Sequence, residues 1–280
     1  MTAISHDDLG KNIRSLPSLP VIVIDLLNSF EQEDINLNAL AEKVSRDQAL
    51  AAKTLRLANS SFYGLSRKVA TIQQAITVLG FDSVRALITA AAATDVFSSS
   101  VHPAFDFKSF WQHAASTAVC SKLLARSMNL NQNYAFITGL LHDVGTLVLV
   151  TRFPEQYAAA VAYRISHDCH QDEAERVTLG LDHTVAGQAL ATHWKFPVLM
   201  QMVIANHHAP RSQDLGDIAS VIHAADAIVH ALDLPRKEDA MVPTIVENAW
   251  NSLRIPSATL HAVFRQTELE FEEVCQLLLA

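Results

Sequence analysis

The chain has 280 residues, half of them hydrophobic and 18% charged, with a formal net charge of -8. That length suits one large domain or two packed lobes, and eight glycines with nine prolines argue against a loop-rich or disordered chain. A nucleic-acid binder needs a basic face, whereas Arg46, Lys53, Arg56, Arg67 and Lys68 are scattered and read as solvated helix faces. Cys120, Cys169 and Cys275 are far apart with no CxxC pair, which argues against a disulfide framework and a thiolate zinc knuckle. Met1 to Gly10 is polar and acidic, without the apolar core of a secretory signal. The longest apolar runs are broken by His or Asp before the ~20 residues a membrane span needs. These features predict a cytoplasmic protein that binds neither nucleic acid nor membrane.

Helical periodicity dominates throughout, so the expected fold class is all-α. Leu16 to Pro20 is a proline-flanked entry to a helix carrying Val21, Ile24, Leu27 and Phe30. Asp34 is placed to cap a helix with Ile35, Leu40 and Val44, and Asp47 to cap the next, with Leu50, Leu55 and Leu57 as its apolar stripe. That helix ends near Asn59, and Gly64 marks the turn. Thr71 starts a short helix with Ile72, Ile76 and Leu79, which Gly80 stops. Phe81 to Phe97 is Ala-rich and helical. The Ser-rich stretch Ser98 to Pro103 is the best internal boundary, dividing an N-terminal lobe (1–103) from a helical bundle with a C-terminal extension (104–280). The bundle is expected as helices over Asp106 to Met128, Tyr134 to Val150, Pro154 to His167, Asp172 to Leu179, Asp182 to Trp194, Pro197 to His207 and Asp217 to Ala231, with at least two more to Ala280. Short loops between them fit antiparallel packing. Trp111 and Trp194 read as core or cleft-wall residues, and Phe62-Tyr63 as an anchor between the lobes. Leu269, Phe271, Val274, Leu277 and Leu278 form a C-terminal apolar stripe that fits either a homodimer contact or burial within one chain.

Polar residues intrude into several of these apolar helices. Leu140-Leu141-His142-Asp143-Val144-Gly145 carries a His-Asp doublet, Ile204-Ala205-Asn206-His207-His208 ends another helix, and His223 and Asp226 stand at i and i+3. A buried carboxylate without a partner costs several kcal/mol, so each needs a hydrogen-bonding group or a metal. Imidazole with carboxylate suits Fe, Mn, Ni or Zn. A lone histidine on an apolar helix is more often a hydrogen-bonded core residue, and His6, His102, His167, His170, His230 and His261 read as surface or incidental. Pattern alone therefore leaves a metal site and a core network both open.

His142-Asp143 within LLHDVG, preceded by His113 in FWQHAASTAV, resembles the signature of the HD superfamily of metal-dependent phosphohydrolases. Asp47-Gln48-Ala49-Leu50, the run Lys53 to Ser60 (KTLRLANS), and Ile72-Gln73-Gln74-Ala75-Ile76 leading to Leu79-Gly80 resemble its HDOD branch. The resemblance covers about Ile13 to Arg211 and continues loosely to Asp226. It implies an HD-type helical bundle packed on the N-terminal lobe. It also implies a site for up to two divalent transition metals. His113, His142, Asp143 and Asp226 would hold one metal. Asp143 would bridge to a second, held also by His183, His207 and His208. Such a site polarises a phosphate ester and lowers the pKa of bound water.

The departures from related HD-GYP enzymes carry equal weight. Those relatives place a lysine where this chain has Thr146, follow the paired histidines with glutamate where this chain has Ala209-Pro210, and carry a GYP motif that Arg211 to Asp217 does not supply. The expectation is against cyclic di-GMP hydrolysis. The leading expectation is a bacterial signal-transduction protein with a His/Asp site that binds metal structurally or takes a small phosphorylated ligand, and with a signalling protein as partner. An active phosphohydrolase and a metal-free helical scaffold are the alternatives. In the first lobe, Asn59 and Ser60 read either as a plain helix end or, with Asp47 and Arg56, as part of a partner surface.

Overall fold

The computed structural model describes residues 3–16, 18–28, 37–59, 65–97, 105–210, 216–234 and 241–279. The described residues form helices and no strand. The N-terminal residues form α1 (His6–Arg14), α2 (Val21–Asn28), α3 (Leu37–Arg46), α4 (Gln48–Ala58), α5 (Ile72–Leu79) and α6 (Phe81–Phe97). Their caps follow the sequence: Asp47 Oδ1 accepts from Leu50 N at 3.0 Å, Thr71 accepts from Gln74 N, and Gly80 ends α5 at a φ of 83° that favours glycine. Asn59 resolves its two readings toward a structural role. Its amide donates to Leu55 O and Val69 O at 2.8 Å each and accepts from Val69 N at 2.7 Å, pinning the segment that leads to α5. Phe30, Asp34, Ile35, Phe62-Tyr63, Gly64 and Ser98 to Pro103 lie outside the described residues.

The bundle comprises α7 (Phe107–Ser127), α8 (Gln132–Leu141), α9 (Val144–Arg152), α10 (Pro154–His167), α11 (Gln171–Leu179), α12 (His183–His193), α13 (Val198–Asn206), α14 (Gly216–Ala231), α15 (Glu247–Leu253) and α16 (Ser257–Leu279). Its axis is α7, capped by Asp106 and packed against α8, α14 and α16. Small residues at Ala114, Ala115 and Ala118, all fully buried, let those neighbours approach. Phe271 and Val274 of α16 are buried within the chain, whereas Leu269 is exposed. Trp111 and Trp194 are buried, as expected. One hydrophobic cluster runs from Ile4 to Cys275, so the N-terminal helices and the later ones share a core. The first helix sits on the bundle: α1 packs on α12, and Ile4 N donates to Leu179 O at 2.7 Å.

The single helix expected over Tyr134 to Val150 is two. The chain breaks at His142 and Asp143, between α8 and α9. Neighbouring side chains in a continuous helix point about 100° apart, given ~3.6 residues per turn. The turn at Asp143 (φ -99°, ψ 12°) brings both to one side, and the Asp143 carboxylate makes no capping bond to α9. The stretch Gln132–Arg152 is long and apolar enough to span a membrane by composition, but 89% of its most apolar window is buried in the fold.

Two glycines set how closely the next layer approaches. A Cβ on Gly145 would fall on the carbonyl oxygen of His183 and the backbone of Gly187. Here α9 crosses α12 backbone to backbone, which places the start of α12 beside the His-Asp turn. Gly145→Ala is therefore expected to cost about 3 kcal/mol or more in chemical unfolding, because the obstacle is backbone and not a movable side chain. A loss under about 0.5 kcal/mol would show that this crossing has room to give.

Candidate metal centre

Five segments bring the seven expected residues to one place. His113 comes from α7, His142 and Asp143 from the turn before α9, and His183 from the first position of α12. His207 and His208 follow the end of α13, and Asp226 lies in α14. Asp143 sits between two groups of imidazoles. Its Oδ2 is 3.6 Å from His113 Nε2 and 3.4 Å from His142 Nε2. Its Oδ1 is 3.5 Å from His183 Nε2 and 3.3 Å from His207 Nε2. Asp226 Oδ1 closes the first group, 3.2 Å from His113 Nε2 and 3.8 Å from His142 Nε2. His208 closes the second, with its Nε2 at 2.9 Å from His183 Nε2.

The outward-facing nitrogens fix the tautomers. His142 Nδ1 lies 2.7 Å from Gly139 O, His207 Nδ1 lies 2.9 Å from Ile204 O, and His183 Nδ1 lies 2.7 Å from Glu175 Oε2. A carbonyl or carboxylate only accepts, so each Nδ1 carries the proton and donates. In the neutral ring, each Nε2 then points a lone pair at the Asp143 carboxylate. Lone pairs facing lone pairs repel unless a cation or further protons lie between them. Asp143 Oδ1, Asp226 Oδ1 and His207 Nε2 are buried with no hydrogen-bond donor or acceptor. Imidazoles anchored through the far nitrogen and converging on a carboxylate are the donor chemistry of a divalent transition metal. Among the described residues, Asp143, His183, His207 and His208 form one group of donor atoms within 4.8 Å of one another, and His113, His142 and Asp143 form another.

The charges are balanced to match. Burial pushes Asp143 and Asp226 up, but the histidines around them hold both carboxyls well below the usual range. Burial opposes charge on His142, yet Asp143 and Asp226 raise it to about 9. His183 is raised against its burial to about 10 by Glu175 and then Asp143. Burial, with the neighbouring His207 and His183, pushes His208 down to about 3. Without metal, protons on His142 and His183 supply the positive charge that the carboxylates need.

Three residues depart from the sequence reading. His223 stands apart from the cluster: its Nδ1 donates to His207 O at 2.7 Å and its Nε2 accepts from Val246 N at 2.9 Å, so both nitrogens brace backbone. Glu175, unremarked in the sequence, is fully buried and holds both the ring and the backbone N of His183, at 2.7 and 2.8 Å. Its other oxygen accepts from Gln171 at 3.1 Å. His230, read as incidental, lies 3.4 Å from Asp226 Oδ1. Its i+4 spacing from Asp226 was the available signal.

A cavity of about 440 Å³ opens onto the cluster. His113, Asp143, His183, His208, Asp226 and His230 form its floor. Phe105, Phe110, Tyr157, Val161 and Ile165 give it an apolar wall, with Arg164 and Thr146 among the polar lining. This volume falls in the range of small-ligand pockets, roughly 300–1,000 Å³.

The HDOD domain profile matches residues 16–210. The chain belongs to the HDOD family. An HDOD domain protein of Geobacter sulfurreducens shares the fold at a TM-score of 0.81, with 23% identity over 96% of this chain and 99% of that one. A candidate phosphohydrolase of Shewanella amazonensis SB2B matches at a TM-score of 0.75, with 25% identity over 97% of this chain and 98% of that one. A protein of Treponema pallidum is 24% identical over 231 residues, which are 80% of this HDOD chain and 44% of the relative. The chain thus spans less than half the length of that relative.

Two outcomes follow from the electrostatics. His142 and His183 have folded pKa values raised to about 9 and 10, so their stabilisation is complete below their unfolded value near ~6.5 and is lost as pH rises through 9 to 10. The chelator-stripped chain should unfold at progressively lower temperature over that range, and a flat profile would refute the assignment. Each proton must also leave before a cation binds, so apparent metal affinity should rise with pH, with proton release measurable by calorimetry in buffers of different ionisation enthalpy. Separately, Glu175→Ala should weaken metal binding about 10–100-fold while leaving every inward-facing donor in place.

Proposed function

We propose that this HDOD protein is a regulatory protein whose His/Asp cluster holds two divalent transition cations and hydrolyses a small phosphomonoester. The observation that carries this reading is the set of three imidazoles anchored through Nδ1 with their Nε2 atoms converging on Asp143. His113, His142, Asp143 and Asp226 would hold one cation, and Asp143, His183, His207 and His208 the other. A ligand set of imidazole and carboxylate without thiolate fits Fe, Mn, Ni or Zn. When bound, the cations supply Lewis acidity toward a phosphoryl oxygen and acidify water.

The chain's own residues supply positioning. Glu175 fixes the His183 ring, and the Gly139 and Ile204 carbonyls fix those of His142 and His207. Phe105, Phe110 and Tyr157 give the cavity aromatic surface against which a substrate's organic group packs and from which water is excluded. The likeness to a candidate phosphohydrolase over nearly the whole chain supports the same reading. The HDOD resemblance supports the regulatory part, in which a signalling protein reads the state of the site.

One observation favours a second reading, a sensor that binds a phosphorylated ligand without turnover. Thr146 brings only a hydroxyl to the cavity, and Arg164 is its single Lys/Arg residue among the described lining. The test is hydrolysis of p-nitrophenyl phosphate by chain purified anaerobically and loaded with Mn²⁺, alongside metal content and phosphate binding. Turnover is expected in the wild type, and Asp143→Ala should lose both metal and activity by at least about 100-fold. Metal and phosphate binding without turnover would establish the sensor. Activity undiminished in Asp143→Ala would place the chemistry elsewhere.

A further inference from the structure

The residues Met241 to Ile245 run as a strap along one side of the cavity. Met241, Pro243 and Thr244 line it, while Val242 and Ile245 are 48% and 41% exposed. The strap has no regular secondary structure and makes no backbone hydrogen bond to other described residues. Its first bonded atom is Val246 N, which donates to His223 Nε2 at 2.9 Å. Beyond that point the chain is fixed: Trp250 N bonds Val246 O, and α15 buries Ala249 and Leu253 as it packs on α14. A segment with few bonds and exposed side chains opens at low cost, so the Val246 bond decides where the strap rests.

His223 is buried in α14 and makes a second bond on its other side, where Nδ1 donates to His207 O at 2.7 Å. That oxygen belongs to the peptide joining His207 to His208. The His207 ring has its own anchor at Ile204 O. The His208 ring has no such carbonyl: its Nδ1 is 3.9 Å from Asp226 Oδ2, too far for a hydrogen bond. The tilt of the shared peptide therefore sets where the His208 ring points. One imidazole thus holds both the cavity wall and the peptide behind the cavity floor.

We propose that His223 is a positioning residue that couples the second cation position to the strap. When His207 and His208 hold a cation, their shared peptide is fixed, and His223 passes that restraint to Val246. Filling the cluster then firms the wall that a ligand meets. The proposal rests on the two-cation reading above and adds a regulation to it, in which metal loading prepares the cavity. Such coupling is reciprocal, so a seated strap raises the affinity of the second cation by the same factor.

The experiment titrates the chelator-stripped full chain with Mn²⁺, reading free Mn²⁺ by electron paramagnetic resonance, and follows deuterium uptake at the Val246 amide by mass spectrometry with and without the metal. In the wild type, Mn²⁺ should slow that exchange at least about fivefold. Val246→Pro cuts the bond from the strap side: it removes the N–H at a φ of -75° that proline adopts, and it touches no donor atom. It should weaken the second cation by the factor seen in the exchange and leave the first unchanged. Val246→Ala, which keeps the N–H, should bind both cations as the wild type does. His223→Asn keeps a donor for His207 O but no acceptor for Val246 N, so it should match Val246→Pro. A merely structural role for His223 predicts no effect of Val246→Pro on cation affinity. Two cations bound by the wild type without any change at Val246 would overturn the coupling and leave the two-cation reading standing, as would wild-type affinities in Val246→Pro. Wild type taking no cation would sink both.

Discussion

A carboxylate buried among imidazoles that already present lone pairs to it needs positive charge, and Asp143 is in that position. Burial costs an isolated ion several kcal/mol, and proximity to other acceptors raises the cost. Protons on His142 and His183 meet the need in the free chain, and divalent cations, were they bound, would meet it with more charge and better directed bonds. Much of the surrounding structure serves this one carboxylate. The break between α8 and α9 turns it and His142 to one side. Gly145 lets α12 arrive close enough to bring His183. Glu175 and two main-chain carbonyls hold the rings so that the lone pairs cannot turn away.

This explains why polar residues persist in helices that are otherwise hydrocarbon. The His142 and His207 rings are fully buried and lie behind the cavity, whereas His113, His183, His208 and Asp143 reach its floor. The inner residues complete the donor set, and the outer ones face whatever enters. The apolar wall of Phe105, Phe110 and Tyr157 differs in kind from the floor: it offers contact area with little charge, while the titratable groups lie below it.

The sequence made the donors legible because each was an anomaly, a charged or polar residue in an apolar run. The all-α class, most helices and several caps were legible for the related reason that periodicity and capping are local. The helix break was not, because Leu140, Leu141, Val144 and Leu147 continue the apolar pattern straight through it, and only the convergence of five segments shows why the chain must turn. Glu175 hid among Gln171, Asp172, Glu173 and Arg176, where a buried carboxylate looks like one more solvated charge. His230 hid for the opposite reason. It is one histidine among thirteen, and the sequence pairs Asp226 as readily with His223 at i+3 as with His230 at i+4. In both cases the missing information is tertiary: which side of α11 or α14 meets the cluster.

The same geometry ties the N-terminal helices to the centre. Ile4 N bonds the Leu179 carbonyl at the end of α11, and α1 lies against α12. Leu179 is four residues from His183, with Asp182 between them capping α12 through Thr184 N and Val185 N and paired to Arg176 at 2.7 Å. Arg152, at the end of α9, reaches back to Ser15 O at 3.2 Å. The two helices that frame the His-Asp turn and His183 thus each touch the N-terminal segment. Helices packed backbone to backbone at Gly145 and Gly187 do not slide by fractions of a turn without clash, so a shift of α1 would be transmitted to α12 as a whole body or not at all. Occupancy of the centre and the position of the N-terminal helices are coupled only to the extent that cations bind one such arrangement better than another. Proximity alone would not couple them; a differential affinity would.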